Sequence, residues 1–83
     1  MTRIPDTDAR EQANARLGAR VLRHRTRADL TQDELAARCG YTRQMISMIE
    51  RGLTAVSGPG LLALSAALGV RPEALVSPRK GRK

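Results

Sequence analysis

Apolar residues recur along this chain at intervals of three and four, the periodicity of helices that bury one face. The first pattern predicts a helix that begins near residues 6–8, where Asp or Thr can cap it, and that reaches about Arg27. Four residues at a 4-4-3 spacing mark its inward face: Ala13, Leu17, Val21 and His24. Because no second histidine, paired cysteine or carboxylate cluster accompanies His24, we expect a packed or half-exposed histidine and no metal site.

Two further helices are predicted toward the C-terminus. Ser57 is the best N-cap of the first, and Gly69 ends it because glycine takes the left-handed conformation without steric cost. Its core stripe has leucines at i, i+3 and i+7, helped by two neighbours: Leu61, Leu64 and Leu68, then Leu62 and Ala67. A last short helix spans residues 72–76, with Leu75 and Val76 as its apolar anchors.

The most informative stretch covers residues 31–52 and reads TQDELAARCGYTRQMISMIERG. Its first helix opens with a capping box, in which the side chains of Thr31 and Glu34 each accept from the other residue's backbone N–H. Gly40 ends this helix, and Thr42 caps the next one. The turn between the two helices is therefore only about three residues long, which is typical of a helix-turn-helix.

The second helix of this stretch presents polar side chains opposite its inward-facing Ile46 and Ile49. Small Ala36 on the preceding helix would let the two helices cross closely. Three polar residues crowd the N-terminal half of the exposed face: Arg43, Gln44 and Ser47. Arginine and glutamine carry donors that match guanine and adenine edges in the major groove. An αα-hairpin with a merely solvated face is the alternative, and the tight join favours a helix-turn-helix that binds duplex DNA.

Composition narrows both the fold and the partner. A chain of 83 residues suits one domain, and with a single aromatic residue its core must be aliphatic, which favours an all-α bundle over a β-sandwich. Net charge +7 and a pI near 11.3 suggest a polyanionic partner. The charge is uneven, because residues 16–28 carry five arginines and no acid, and residues 79–83 carry four more basic residues. The scarcity of aromatic residues argues against single-stranded nucleic acid.

The sequence contains no feature typical of an enzyme or of a secreted or membrane protein. It has one histidine, one cysteine and no glycine-rich phosphate loop, so we expect no enzymatic activity and no cofactor. The lone Cys39 excludes an intrachain disulfide. Because no long apolar run or signal-peptide pattern is present, we expect a cytoplasmic protein that joins the nucleoid when bound to DNA.

From Leu17 to about Val76 the chain resembles the lambda repressor/Cro-like (XRE) family of helix-turn-helix transcriptional regulators. The segments that carry this resemblance are LGARV at residues 17–21, LTQDELAARCGYTRQMISMIERG at 30–52 and LLALSAALGV at 61–70. The resemblance implies a compact bundle of about five helices, and a homodimer on a palindromic operator. We accordingly expect a flexible arm over residues 1–8, a DNA-binding domain over 9–76 with its helix-turn-helix at 31–52, and a basic, disordered tail over 77–83.

The resemblance also implies roles for particular residues. Five would read bases from the second helix of the motif: Thr42, Arg43, Gln44, Ser47 and Met48. Three would contact phosphates: Gln32, Arg25 and Arg51. Arg25 and Glu50 also occupy positions where relatives often form an ion pair between the first and third helices. Gly40, Ala36 and Glu50 are therefore expected to be structural.

Several positions depart from the family pattern. His24 and Gly58 replace usual leucines, and Asp29 replaces the usual glycine. The loop over residues 53–56 has no Lys or Arg, although relatives often hold phosphates there, and this favours an alternative in which the fold is a protein-interaction module. Among DNA-binding functions, a phage-type repressor, a restriction–modification controller and an antitoxin with a toxin as partner all stay open.

Overall fold

The computed structural model describes residues 7–76, which form five helices joined by short turns. The helices are α1 (Thr7–Arg27), α2 (Gln32–Cys39), α3 (Arg43–Glu50), α4 (Gly58–Leu68) and α5 (Pro72–Val76). The all-α bundle that the sequence predicts is confirmed. Because α1 begins at Thr7, the last two residues of the predicted arm are helical, and the rest of that arm and the tail over 77–83 lie outside the described residues.

Local side-chain hydrogen bonds determine where α2 and α3 begin. The Thr31 hydroxyl accepts from the Glu34 N–H at 3.0 Å, and the Glu34 carboxylate accepts from the Thr31 N–H at 2.8 Å. Thr42 repeats half of this arrangement by accepting from the Met45 N–H at 3.1 Å. Gly40, with a φ of 78°, ends α2 in the left-handed region. The capping box, the second cap and the glycine stop are all as predicted.

A side-chain cap and a glycine stop also mark the two ends of α4. Ser57 caps α4 by accepting from the Gly60 N–H at 3.1 Å, and Gly69 ends it with a φ of 73°. Asp29, in the turn between α1 and α2, has a φ of 62°. Aspartate tolerates this left-handed conformation better than most residues, so it can stand where the resemblance to the family implies a glycine.

Aliphatic side chains from all five helices or their flanks form one core. Its members are Val21, Leu30, Leu35, Ala36, Ile46, Ile49, Leu64, Leu68 and Leu75. Helix α1 packs against α3 and α5, and α2 packs against α3 and α4. Because α3 is held from two sides, its orientation relative to α1 and α2 is set by this core.

Three residues expected to face inward are instead exposed. Ala13 is exposed in the first half of α1. Leu62 is 58% exposed, because it lies two positions from buried Leu64 and thus about 200° around the helix from it. Val76 is 49% exposed at the end of α5. His24 is half-buried, and burial, followed by two neighbouring arginine charges, lowers its pKa.

None of the five helices combines the length and the apolar character needed to span a membrane, within the residues that the structure describes.

Candidate nucleic-acid interface

The outward face of α3 gathers most of the residues predicted to contact DNA. Ile46 and Ile49 are 0% and 1% exposed and anchor the opposite side of the helix in the core. At i, i+1, i+4, i+5 and i+8 the outer face carries Arg43, Gln44, Ser47, Met48 and Arg51. The side chains of Arg43, Gln44 and Arg51 are exposed, whereas Ser47 and Met48 are half-buried. The five therefore form one continuous, mainly polar surface.

A notch between α2 and α3 adds Gln32 to this surface. Its volume is about 280 Å³, and its lining is Gln32, Arg43, Gln44 and Ser47. Gln32 is the first residue of α2 and Arg43 the first residue of α3, so both helix N-termini adjoin the notch. Unpaired N–H groups and the positive end of the helix dipole make such termini favourable for anions. The notch thus combines side-chain and backbone donors suited to a phosphate and to base edges.

An ion pair connects α1 to α3 behind the notch. Arg25 donates to the Glu50 carboxylate through Nε at 2.6 Å and Nη2 at 3.1 Å, and its Nη1 donates to the Leu30 carbonyl at 2.8 Å. The Gln32 Nε2 donates to the same carboxylate at 3.0 Å. The hydrogen bond to Glu50 raises the pKa of Arg25 above its ordinary value, although burial opposes it. The ion pair expected between Arg25 and Glu50 is confirmed, and it holds the Gln32 amide in place.

Arg51 and Thr42 lie at the two ends of α3. Arg51 is exposed, and its Nε donates to the Ser47 carbonyl at a long 3.4 Å, which leaves the guanidinium accessible. Thr42 is also exposed, and its oxygen is engaged as the N-cap. Because a hydroxyl both donates and accepts, Thr42 can cap the helix and still donate its proton to a phosphate or base.

The predictions missed the close approach of α1 to α3 at Gly18. A Cβ added at Gly18 would lie 2.1 Å from the Ile49 carbonyl oxygen and 2.9 Å from that of Glu50. A second close approach lies one turn earlier on α1, at Ala15, where a Cβ added at Gly52 would lie 2.9 Å from the Ala15 Cα. A glycine in the middle of a predicted helix is the sequence signal for such an approach. Because glycine lowers the stability of a helix, its presence there indicates a packing or functional reason.

A second missed contact fixes the turn of the motif. Tyr41 in this turn is half-buried against the core, and a Cβ added at Gly60 would overlap its hydroxyl, 1.9 Å away. Gly60 is buried in the first turn of α4. The helix-turn-helix is thus held on α4 by an aromatic ring that only a glycine accommodates.

The remaining candidates for chemistry are dispersed. Among residues 7–76, no group of three His, Cys, Asp and Glu side chains could hold a metal ion. Cys39 is half-buried, its Sγ donates to the Leu35 carbonyl at 3.1 Å, and burial raises its pKa. Cys39 therefore packs as a protonated thiol at neutral pH.

Two short helices joined by a three-residue turn, with the polar face of the second turned outward from an all-α core, define a helix-turn-helix DNA-binding domain. The family model HTH_3, described as helix-turn-helix, matches residues 21–75. The chain belongs to this family of DNA-binding transcriptional regulators, of the lambda repressor/Cro-like (XRE) type.

Individual relatives agree with this assignment. An HTH-type transcriptional regulator of Sinorhizobium fredii, y4dJ, is 39% identical over 62 residues, which are 75% of this chain and 80% of the relative. The restriction–modification controller C.AhdI of Aeromonas hydrophila has 34% identity and a TM-score of 0.73 over 75% of this chain and 94% of its own. The P22 c2 repressor in complex with a synthetic operator has 34% identity and a TM-score of 0.70, covering 74% and 92%.

Proposed function

We propose that this regulator acts as a homodimer on a palindromic operator, with one α3 in each of two successive major grooves. The observation that carries this proposal is the polar outer face of α3, continuous with the notch that Gln32 lines. The two copies of α3 would lie roughly 34 Å apart, one helical turn of DNA. Binding rather than catalysis is the activity proposed, and regulation follows from occupancy of the operator.

Arg43 and Gln44 are proposed to read the bases directly. Both side chains are exposed at the start of α3, the part of a recognition helix that contacts base edges. Arginine pairs with the two acceptors of guanine, and glutamine with the acceptor and donor of adenine. Ser47 and Met48 lie one turn further along and would contact neighbouring base pairs, and Thr42 would contact the groove edge.

Gln32 is proposed to hold a phosphate at the N-terminus of α2. Its Nε2 is bound to Glu50, so the amide is oriented before DNA arrives and the α2 backbone N–H groups can act with it. Arg25 was expected at a phosphate, and its bonds to Glu50 and Leu30 favour an indirect contribution through the Gln32 amide. Arg51 retains an accessible guanidinium and is proposed as the direct phosphate contact at the other end of α3.

Selection of bound sequences from random duplex DNA tests these assignments. We expect an enriched palindrome, and sedimentation should show one protein dimer bound to each duplex. Arg43→Ala should reduce the discrimination between bases at one position of the operator by about 1–3 kcal/mol, and Gln44→Ala should do the same at another position. Arg38→Ala, which removes an exposed arginine from α2, is the matched control and should leave the preference unchanged. Unaltered preference in both α3 variants would refute the assignment.

Gln32→Ala should behave differently from the base-reading variants. Because a phosphate contact carries no sequence information, this change should weaken binding to all duplexes alike and leave the selected sequence unchanged. Gln12→Ala, at an exposed position on α1, is its control. Loss of preference at one base pair would instead make Gln32 a base-reading residue.

Two more specific regulatory roles are proposed from the similar structures, namely control of a restriction–modification system and phage-type repression. This chain covers 94% of C.AhdI, a restriction–modification controller protein, and 92% of the P22 c2 repressor, at 34% identity to each. The neighbouring genes decide between them, since a methyltransferase and an endonuclease beside the gene would support the controller. A toxin gene in that place would support an antitoxin instead.

A further inference from the structure

Four arginines form a continuous stripe along α1. This arginine stripe lies at i, i+4, i+7 and i+11 and consists of Arg16, Arg20, Arg23 and Arg27. Residues at this spacing share one helical face, here over a length of roughly 16 Å. Gly18 and Arg25 mark the side of α1 that faces α3, since one packs on the α3 backbone and the other binds Glu50. Each stripe residue is two positions from one of them, about 200° around the helix, so the stripe faces away from α3.

Within the part of the chain that the structure describes, no acidic side chain forms a salt bridge with a stripe arginine. Residues 16–28 contain no acid, and the salt bridge found within residues 7–76 joins Arg25 to Glu50, off the stripe. Arg16, Arg23 and Arg27 are exposed, and Arg20 is half-buried. Four like charges on one helical face repel each other, and an acidic partner would relieve that repulsion.

An apolar groove opens beside the first half of the stripe. It lies between α1, α5 and the loop after α3, has a volume of about 210 Å³, and is called the α1–α5 groove here. Its apolar lining includes Leu17, Val56, Leu75 and Val76, and two stripe residues, Arg16 and Arg20, also line it. The volume is below the roughly 300–1,000 Å³ typical of small-molecule sites, so it suits an inserted side chain better than a whole ligand.

We propose that the α1–α5 groove and the arginine stripe together bind an acidic, amphipathic segment of a partner protein. An apolar side chain of that segment would enter the groove, and its carboxylates would pair with the stripe arginines, which bind carboxylates in a bidentate manner. This partner would bind on the side of α1 opposite α3, so it could occupy the regulator together with DNA. The inference goes beyond the proposed operator binding and does not depend on it.

Two other occupants fit the same surfaces less well. A second copy packed symmetrically on the groove would bring its own Arg16 and Arg20 against these, and each copy carries a net charge of +7. A DNA duplex would neutralise the stripe, but its sugars and phosphates offer no apolar side chain to Val56 and Val76. Only an acidic segment with an apolar anchor uses both features.

Fluorescence anisotropy with synthetic peptides tests the proposal on the full chain. The probe is a labelled helical peptide of about 15 residues, long enough to form a helix, with leucines on one face and glutamates on the rest. One comparison peptide replaces the leucines by serine, and another replaces the glutamates by lysine. We expect the acidic leucine peptide to bind about tenfold more tightly than either comparison peptide.

Variants of the chain locate the binding. Arg16→Glu combined with Arg20→Glu should weaken the acidic leucine peptide by about tenfold, and Val76→Ser, at an exposed position, by about threefold. Arg38→Glu combined with Arg71→Glu makes the same charge change at exposed sites off the groove and should alter the affinity less than about twofold. Circular dichroism confirms that each variant is folded.

Three outcomes would overturn the inference. Binding of the serine peptide as tightly as the leucine peptide would make the stripe a general polyanion contact. A non-operator duplex that displaces the acidic peptide from the groove side would identify DNA as the occupant. Absence of peptide binding, together with a change of sedimentation in the Val76→Ser variant, would identify the groove as the contact between copies of this chain.

Discussion

The ion pair between Arg25 and Glu50 gives the sharpest test of how α3 is held. The Glu50 side chain is 4% exposed and that of Arg25 is 15% exposed. Removal of one member of a buried pair costs about 3–5 kcal/mol, because the other charge is left without a partner. Arg25→Met leaves the less exposed carboxylate with Gln32 as its remaining donor, whereas Glu50→Leu leaves a guanidinium that keeps the Leu30 carbonyl. We therefore expect Arg25→Met to cost about 4 kcal/mol and Glu50→Leu about 3 kcal/mol.

The double variant separates the pair from its surroundings. When both residues become apolar, no charge is stranded, so Arg25→Met with Glu50→Leu should be more stable than Arg25→Met alone. Urea unfolding followed by circular dichroism measures the four free energies of the cycle. Arg23→Met, an exposed arginine on the same helix, is the control and should change stability by less than about 0.5 kcal/mol.

The pH dependence of stability and the affinity for the operator provide two further tests of this ion pair. The pKa of Arg25 is raised, so its contribution is complete below the ordinary arginine pKa and is lost only as pH rises past the folded value. The contribution should therefore be equal at about pH 7 and about pH 9. The double variant should fold but bind the operator more weakly, because Gln32 loses the acceptor that orients it. Two results would contradict these expectations. One is a larger loss of stability in Glu50→Leu than in Arg25→Met, and the other is a double variant whose loss of stability equals the sum of the two single losses.

The other predictions concern packing and titration. Gly18→Ala should destabilise the fold by about 1–3 kcal/mol or more in urea unfolding, since its Cβ would overlap the Ile49 carbonyl; Gly58→Ala, with no atom within 4 Å of its Cβ, should be neutral or stabilising. The pKa of His24 is lowered in the fold, so stability should fall as pH drops below its ordinary 6.5, and His24→Leu should remove that part of the slope. Because the pKa of Cys39 is raised by burial, iodoacetamide should alkylate it more slowly in the folded chain than in urea.

The helix boundaries were predictable because each depends on neighbours in sequence. The Thr31 and Thr42 caps and the Gly40 and Gly69 stops act over three or four residues, and the structure has all four where the sequence indicates them. The short α5 was likewise predicted with the bounds that the structure shows. Local hydrogen bonding and backbone conformation carry this information without reference to the rest of the fold.

The tertiary environment was harder to predict. Apolar residues were assigned to the interior by periodicity, and Leu62 and Ala13 are exposed because the bundle covers only part of α4 and α1. The approach at Gly18 depends on α3, some thirty residues away, and one sequence does not show which helix will lie there. The indirect link between Arg25 and Gln32 was equally hard to predict. The two side chains lie on α1 and α2, and both donate to the carboxylate of Glu50 on α3.

The residues proposed to contact DNA differ in how far they also stabilise the fold. Thr42 caps α3 and Gln32 donates to Glu50, so each has a structural hydrogen bond in addition to its proposed DNA contact. Arg43 and Gln44 are exposed, and within residues 7–76 their side chains form no hydrogen bond or salt bridge with another side chain. Exposed residues without such contacts can be exchanged at a cost of about 0.5 kcal/mol or less. Under the proposed base-reading roles of Arg43 and Gln44, the operator preference can change at two positions while the bundle that orients α3 stays as it is.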